Sequence, residues 1–234
     1  MNPNYPVNIN KFISQSGLCS RRQADVLVKM GKVKIDNKLA KLIDKVQESS
    51  KVAVDGVIIP HKTPERVYIA YNKPVGVITT TDPKFPNNII SNINYPTRLF
   101  PIGRLDVNTS GLILLTNDGE IVNKILKGSQ KVEKEYIVQV HKPISNTALA
   151  NLQQGLIIDG FKTLSAKTKK IDEKRFSITI VEGKKRQVRR MCEKMGFEVQ
   201  RLERIKIGKI DLKNIPLGKY IELSRDQIKK YLDI

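Results

Sequence analysis

The sequence predicts an α+β fold in two parts: a small αβ module over residues 1–60 and a larger domain over residues 67–234, built on a mixed, mainly antiparallel sheet. Three observations carry this. In the second part strand patterns follow one another closely, with only three or four helical stretches among them, which favours hairpins over parallel βαβ units. The first part opens on two short helical patterns and continues into strand and hairpin signals. Between the parts, residues 61–66 mix proline with basic residues and show no periodicity, as a linker does.

Taken in order, residues 1–6 read as a disordered tip. Ile9, Phe12 and Ile13 then recur at helical spacing, and Gly17 stops that helix. Ser20 and Gln23, three apart, form a capping-box pattern that opens a second helix with Ala24, Leu27, Val28 and Met30 as its stripe and Gly31 as its stop. Residues 32–35 alternate as a short strand. Residues 52–59 are two strands around Asp55-Gly56, a strong hairpin signal. In the second part, residues 67–71 form a strand that ends at Asn72-Lys73-Pro74-Val75-Gly76. Residues 82–97, rich in proline and asparagine, read as an irregular insertion and a candidate mobile element. Residues 112–115 are an unbroken apolar run between turn signals, a strand buried on both faces. A helix at 120–127, a strand at 132–140, a helix at 145–154 and a strand at 176–181 follow. Val188, Met191, Cys192 and Met195 mark a further helix. Residues 199–208 alternate apolar and basic residues, and a helix at 226–232 closes the chain.

Composition narrows the function. The chain has 234 residues, with 42 Lys and Arg against 23 Asp and Glu, a formal net charge of +19. That excess points to a polyanion, above all nucleic acid. A membrane surface is the rival partner, but no run approaches the ~20 apolar residues of a spanning helix, and no signal peptide or amphipathic anchor is visible. Cys19 and Cys192 are not spaced as a metal site and there are only two histidines, so neither structural zinc nor another metal is expected. A reduced, cytoplasmic protein fits best. Arg21, Arg22, Lys29, Lys32 and Lys34 cluster on and after the second helix. Arg21 and Arg22 sit at its N-terminus, where cations oppose the macrodipole, so stability does not ask for them and a phosphate backbone would.

The chain is organised around residues 100–119. Arg104 and Asp106, two apart, project to one side in extended backbone, where a guanidinium would keep the carboxylate ionised and aimed. An Asx turn at Asp106 is the alternative. Gly-Arg-Leu-Asp at 103–106, followed by Thr-Ser-Gly-Leu-Ile-Leu-Leu-Thr-Asn-Asp-Gly at 109–119, resembles the signature of the RsuA family of pseudouridine synthases. Residues 9–40 resemble the α-L RNA-binding domain. The resemblance covers residues 8–224, and what it implies is an RNA-modifying isomerase with an N-terminal RNA-binding module and a catalytic domain of pseudouridine synthase type.

Carried over residue by residue, the resemblance implies Asp106 as nucleophile, with Arg104 beside it in the same motif. Lys134-Glu135-Tyr136 matches the family's Lys-x-Tyr, whose tyrosine stacks on the target base. Gly183-Lys-Lys-Arg186-Gln-Val-Arg189-Arg190 matches Gly-x-x-Arg-Gln-Val-Arg-Arg, in which one arginine pairs with the catalytic aspartate: Arg189 first, Arg186 second. Leu202 falls where the family has an apolar platform under the uracil. Lys73, in Lys-Pro-x-Gly, is a secondary RNA contact, and Arg21, Arg22 and Lys32 are contacts of the N-terminal module. Ile221 departs from the family's usual arginine. The reaction has no redox step, so no cofactor is expected.

The residue stretches 124–130, 133–136, 201–205 and 215–218 look most like the F-type large-subunit members of that family. The substrate implied is one uridine of a 23S ribosomal RNA stem-loop, with a transfer RNA as a second candidate, acted on by a monomer. A small-subunit ribosomal RNA synthase and a non-catalytic RNA-binding assembly factor are the alternatives. The second accounts for the charge but not for Arg104, Asp106, Tyr136 and Arg189 together.

Overall fold

A computed structural model describes residues 5–62, 64–127 and 132–233. The first four residues of the expected tip, and residues 128–130 of one F-type stretch, lie outside these. The chain divides into two compact units, Met1–Arg66 with Asn117–Gly119, and Val67–Thr116 with Glu120–Ile234.

The first unit runs β1 (Val7–Asn8), α1 (Ile9–Gln15), α2 (Arg21–Lys29), β2 (Val33–Ile35), β3 (Lys38–Leu39), β4 (Lys45–Val46), β5 (Val52–Val54) and β6 (Val57–Ile58). The capping box forms as the sequence predicts: Ser20 accepts from the Gln23 amide, and Gln23 accepts from the Ser20 amide at 2.9 Å. Asp55 and Gly56 take φ of 48° and 81°, the paired positive values of a type I′ hairpin turn, which glycine at the second place allows without strain. Ala24 and Val28 of α2 pack on Ile9, Phe12, Ile13, Val33, Val52 and Val54. Met30, expected on that stripe, lies beyond the last helical residue and is exposed. His61 stands edge-on to Phe12, with ring centroids 4.9 Å apart, and pairs through Nε2 with the Ser50 carbonyl at 2.6 Å.

The second unit runs β7 (Tyr68–Lys73), α3 (Ile89–Ile93), β8 (Phe100–Ile102), β9 (Ser110–Thr116), α4 (Gly119–Lys127), β10 (Lys134–Val140), α5 (Asn146–Gln154), β11 (Ile157–Ile158), β12 (Phe161–Lys162), β13 (Lys167–Lys170), β14 (Arg175–Ile180), α6 (Gln187–Lys194), β15 (Val199–Ile207), β16 (Ile210–Asp211), β17 (Tyr220–Glu222) and α7 (Arg225–Leu232). One sheet orders them β13-β14-β10-β15-β9-β7-β17, with β16 beside β15 and β8 beside β9. Among the described residues, only β15 and β9 pair parallel in it. The mainly antiparallel mixed sheet predicted from strand spacing is therefore what forms.

The sheet's centre is buried on both faces. Ile69, Tyr71, Ile113 and Leu115 join a core covered by α3, α5 and α6, whereas Tyr68, Ala70, Leu112 and Leu114 join a second core covered by α4 and α7. Each such buried side chain contributes about 1.5–3 kcal/mol relative to exposure, which is why residues 112–115 carry no polar alternation. Two details differ from the sequence expectation. The insertion at 82–97 contains α3, capped by Asn88, whose side chain accepts from the amides of Ile90 and Ser91. The first strand runs on through Asn72 and Lys73 rather than ending at Tyr71.

Candidate active site

The loop after β8 carries Asp106, and three contacts hold it. Thr79 Oγ1 donates to the Leu105 carbonyl at 2.8 Å, the Gly76 amide donates to the Val107 carbonyl at 2.8 Å, and the Thr109 amide closes a turn onto the Asp106 carbonyl at 3.0 Å. The turn is made by the backbone, not by the side chain, so the Asx alternative falls away. The Asp106 carboxylate accepts no hydrogen bond from a described residue. It lies in the wall of a cavity of about 410 Å³.

The same cavity is lined by Arg104, Lys134, Tyr136, Arg186, Leu202 and Arg204. Tyr136 is 8 % exposed and Leu202 4 %. They come from β10 and β15, which pair directly: Tyr136 stands opposite Arg204 and Val138 opposite Leu202. Period-2 alternation puts Lys134 and Tyr136 on one face of β10. The rim is the loop before α6. There Glu182 accepts from the Leu164 amide and from Gln187 Nε2, and the Lys184 ammonium sits 3.3 Å from the centre of the Phe161 ring. Arg186 caps α6 in the left-handed region at φ 53°, uncommon for a non-glycine residue and found mostly where function or packing demands it.

Three expectations need correction. No ion pair within 4.0 Å joins Asp106 to Arg104, Arg186 or Arg189 among the described residues. Arg104 is exposed, and Arg186 turns to Glu193 at 3.6 Å. Arg189 is 6 % exposed and donates instead to backbone carbonyls, Nη2 to Asn108 at 2.7 Å and Nη1 to Val199 at 3.0 Å. It therefore ties the turn after Asp106 to the start of β15. Asp106 still acts on it: burial and then Arg186 lower the Arg189 pKa, and the Asp106 charge opposes both.

Lys73 is the second correction. It is 0 % exposed, so it cannot touch RNA. Its ammonium donates to the Pro74 and Val77 carbonyls at 2.8 and 2.9 Å, and burial pulls its pKa down to about 8 against the opposing pull of Asp106. Proline cannot continue the strand, and the two carbonyls that follow replace the water the lysine loses.

Arg204 is the third. The alternation of β15 predicts basic residues turned toward RNA, yet Arg204 is 4 % exposed. Register shifts at Glu135/Tyr136 and Gln139/Val140 in the β10–β15 ladder break the strict alternation. Arg204 and Lys134 are cations of the cavity to which the sequence reading assigns no role in the site. The only sequence signal for Arg204 is its place two residues after Leu202.

In the first unit Arg21, Arg22 and Lys32 are exposed, with Lys32 also 3.3 Å from Asp55. Cys192, on the buried face of α6, is pushed up to about 12 by burial, an inert thiol. Among the described residues no cluster of His, Cys, Asp and Glu could hold a metal ion, and no helix is long and apolar enough to cross a membrane.

Comparison with known proteins agrees on one family. Residues 67–194 match the family model described as RNA pseudouridylate synthase, and residues 7–52 match the S4 domain. The chain is 44% identical over 229 residues to the dual-specificity RNA pseudouridine synthase RluF of Escherichia coli (strain K12), covering 97% of this chain and 79% of that one. It is 36% identical over 231 residues to the ribosomal large subunit pseudouridine synthase B of Bacillus subtilis (strain 168), covering 95% and 94%. A crystal structure of a pseudouridylate synthase superposes with a TM-score of 0.71 at 29% identity, over 96% of this chain and 99% of that one. With an aspartate, a tyrosine and several cations lining one cavity, and an S4 domain matched over residues 7–52, the chain belongs to the RNA pseudouridylate synthase family.

Proposed function

We propose that this enzyme converts one uridine of a large-subunit ribosomal RNA stem-loop to pseudouridine, with a transfer RNA as second substrate. The observation that carries the site assignment is the Asp106 carboxylate, free of hydrogen bonds from the described residues, in one cavity with Tyr136. The base must leave its stack before its glycosidic bond is reachable. Tyr136 receives its face and Leu202 supplies an apolar platform. Asp106 is the nucleophile. Arg189 is its counter-ion at a distance and holds its loop through Asn108. Arg104 and Arg186 meet the flanking phosphates at the rim. The N-terminal unit clamps the RNA through Arg21, Arg22 and Lys32.

Support for the substrate is the likeness to a dual-specificity enzyme and to a large-subunit one. Stem-loops suit the site, because their bases can be splayed out while the stem is held by charge. The reading treats the enzyme as a cytoplasmic monomer whose cysteines stay reduced. The test is pseudouridine mapping of total RNA from cells with and without the gene, restored by wild type or by Asp106→Asn. Loss of one large-subunit site and one transfer-RNA site is expected, recovered by wild type alone. Loss of a single small-subunit site, with those intact, would refute the substrate.

A further inference from the structure

Arg204 and Lys134 are cations without a carboxylate. Arg204 Nε donates to the Leu112 carbonyl at 2.7 Å and Nη1 to Tyr136 Oη at 3.5 Å. Its Nη2 is buried with no hydrogen-bond partner among the described residues. The guanidinium carbon stands 5.9 Å from the centre of the Tyr136 ring. Lys134 lies two residues before Tyr136 on the same face of β10, and its ammonium donates to the Val132 carbonyl at 2.8 Å. Its pKa is lowered by burial and then by the charge of Arg204, so the two cations feel each other. Among the described residues neither makes an ion pair within 4.0 Å. Buried charges are normally paired, and an unfilled buried donor is destabilising.

β9 and β15 meet closely at the backbone of this residue. Gly111 stands opposite Arg204 across the parallel β9–β15 pair, and a Cβ there would lie 2.3 Å from the Arg204 carbonyl oxygen. Stability does not explain two such cations beside Tyr136. Negative charge arriving with the substrate does.

On the reading above, the base stacks on Tyr136. When the bond between C1′ and N1 breaks, its electron pair stays on the uracil, which becomes an anion with charge spread over N1, O2 and O4. The Asp106 carboxylate holds C1′ as an ester while the ring turns; a ring electron pair then forms the C5–C1′ bond as the Asp106–C1′ bond breaks, C5 loses its proton and N1 gains one. The product is an isomer, and no co-reactant is consumed. We propose that Lys134 and Arg204 are catalytic cations that hold the uracil anion between bond breaking and C5 attack. Both cations line the cavity in which a base lying on Tyr136 would sit. Because the charge exists only after the bond breaks, they act on the rate and not on RNA affinity.

The experiment measures single-turnover consumption of the target nucleotide, and RNA Kd, for wild type, Arg204→Met, Arg204→Lys, Lys134→Met and Lys134→Arg. Substrates are transcripts of the target RNA made with uridine or with 5-fluorouridine, whose electron-poor ring carries negative charge more easily. Each Met variant is expected to lose about 10²–10³-fold in rate on uridine, with Kd within about threefold and partial recovery in the conservative variants. On 5-fluorouridine the loss should shrink at least tenfold. Equal losses on both substrates, or a loss confined to Kd, would overturn the proposal. If Arg204→Met fails to fold, Lys134→Met and Arg204→Lys give the same comparison. A wild type that converts no uridine in ribosomal or transfer RNA removes the functional reading as well. A converting wild type with variants equally impaired on both substrates removes this inference alone.

Discussion

Arg21 and Arg22 in the first unit, and Arg189 and Arg204 in the second, are one residue type in opposite surroundings. The first pair is exposed at the open end of α2. The second pair is 6 % and 4 % exposed, held by the carbonyls of Asn108, Val199 and Leu112. An exposed guanidinium keeps its water and its rotamer freedom, so it binds a polyanion by releasing counter-ions, whatever the sequence. A buried one has already lost both, and is fixed before substrate arrives. The comparison teaches that net charge alone says nothing about catalysis. What matters is which cations the fold desolvates and what it gives them in exchange.

The sharpest way to break the comparison is to disturb the sheet where β9 meets the backbone of Arg204. Gly111→Ala must place a methyl 2.3 Å from the Arg204 carbonyl oxygen at φ 104°. Strain and overpacking together should cost about 4 kcal/mol. Thermal unfolding should then fall by roughly 8–15 °C. An unchanged melting temperature would mean that the two strands need not approach so closely. Next comes Arg189→Met, which removes the tie to the Asp106 turn. The expected result is about a 100-fold fall in kcat, or ~3 kcal/mol, with RNA affinity nearly unchanged. A fall in affinity with kcat intact would make Arg189 a binding residue instead.

The exposed half of this contrast was legible in the sequence. Ser20 with Gln23 and Asp55 with Gly56 are local signals, satisfied within a few residues, and both form as read. The apolar run at 112–115 was legible because a strand buried on both faces has no polar option. The rest depends on contacts distant in sequence. Lys73 is expected as an RNA contact because lysine before proline is usually solvated. Its burial follows from β17 and β9 closing on either side of β7. β8 was missed because Pro101 breaks the strand pattern, although its neighbours pair with β9. Arg204 was read as RNA-facing because alternation assumes an unbroken ladder.

The burial of Lys73 gives the fold a pH dependence that can be measured. Its folded pKa, about 8, lies below the ordinary lysine value of 10.5, because burial disfavours the charge more than Asp106 favours it. Below about 8 both states carry the proton, and the fold bears the whole desolvation penalty. Between about 8 and 10.5 the unfolded chain binds the extra proton, so stability rises with pH. The quantity to measure is the difference between wild type and Lys73→Met, which isolates this one group. That difference should move in favour of wild type by about 2–3 kcal/mol across the window. A flat difference would show that Lys73 titrates like a surface lysine.

The smallest effect belongs to the exposed pair, and there it is the form of the effect that decides. Arg21→Glu with Arg22→Glu touches no buried group, and the capping box of Ser20 and Gln23 remains. Negative charge at a helix N-terminus complements the macrodipole, so the helix should not weaken. What changes is the number of phosphates neutralised. Each lost contact lowers the slope of log affinity against log salt by about 0.7–0.9, so two lost contacts lower it by roughly 1.4–1.8. Affinity for long structured RNA should drop about tenfold near 0.1 M salt and converge with wild type as salt rises. At saturating RNA the conversion rate should stay at the wild-type value, since no cavity group has moved. A reduced rate at saturation would mean that these arginines help to seat the uridine. An unchanged slope would mean that the RNA does not meet this end of α2, and that the clamp must be sought on another face of the first unit.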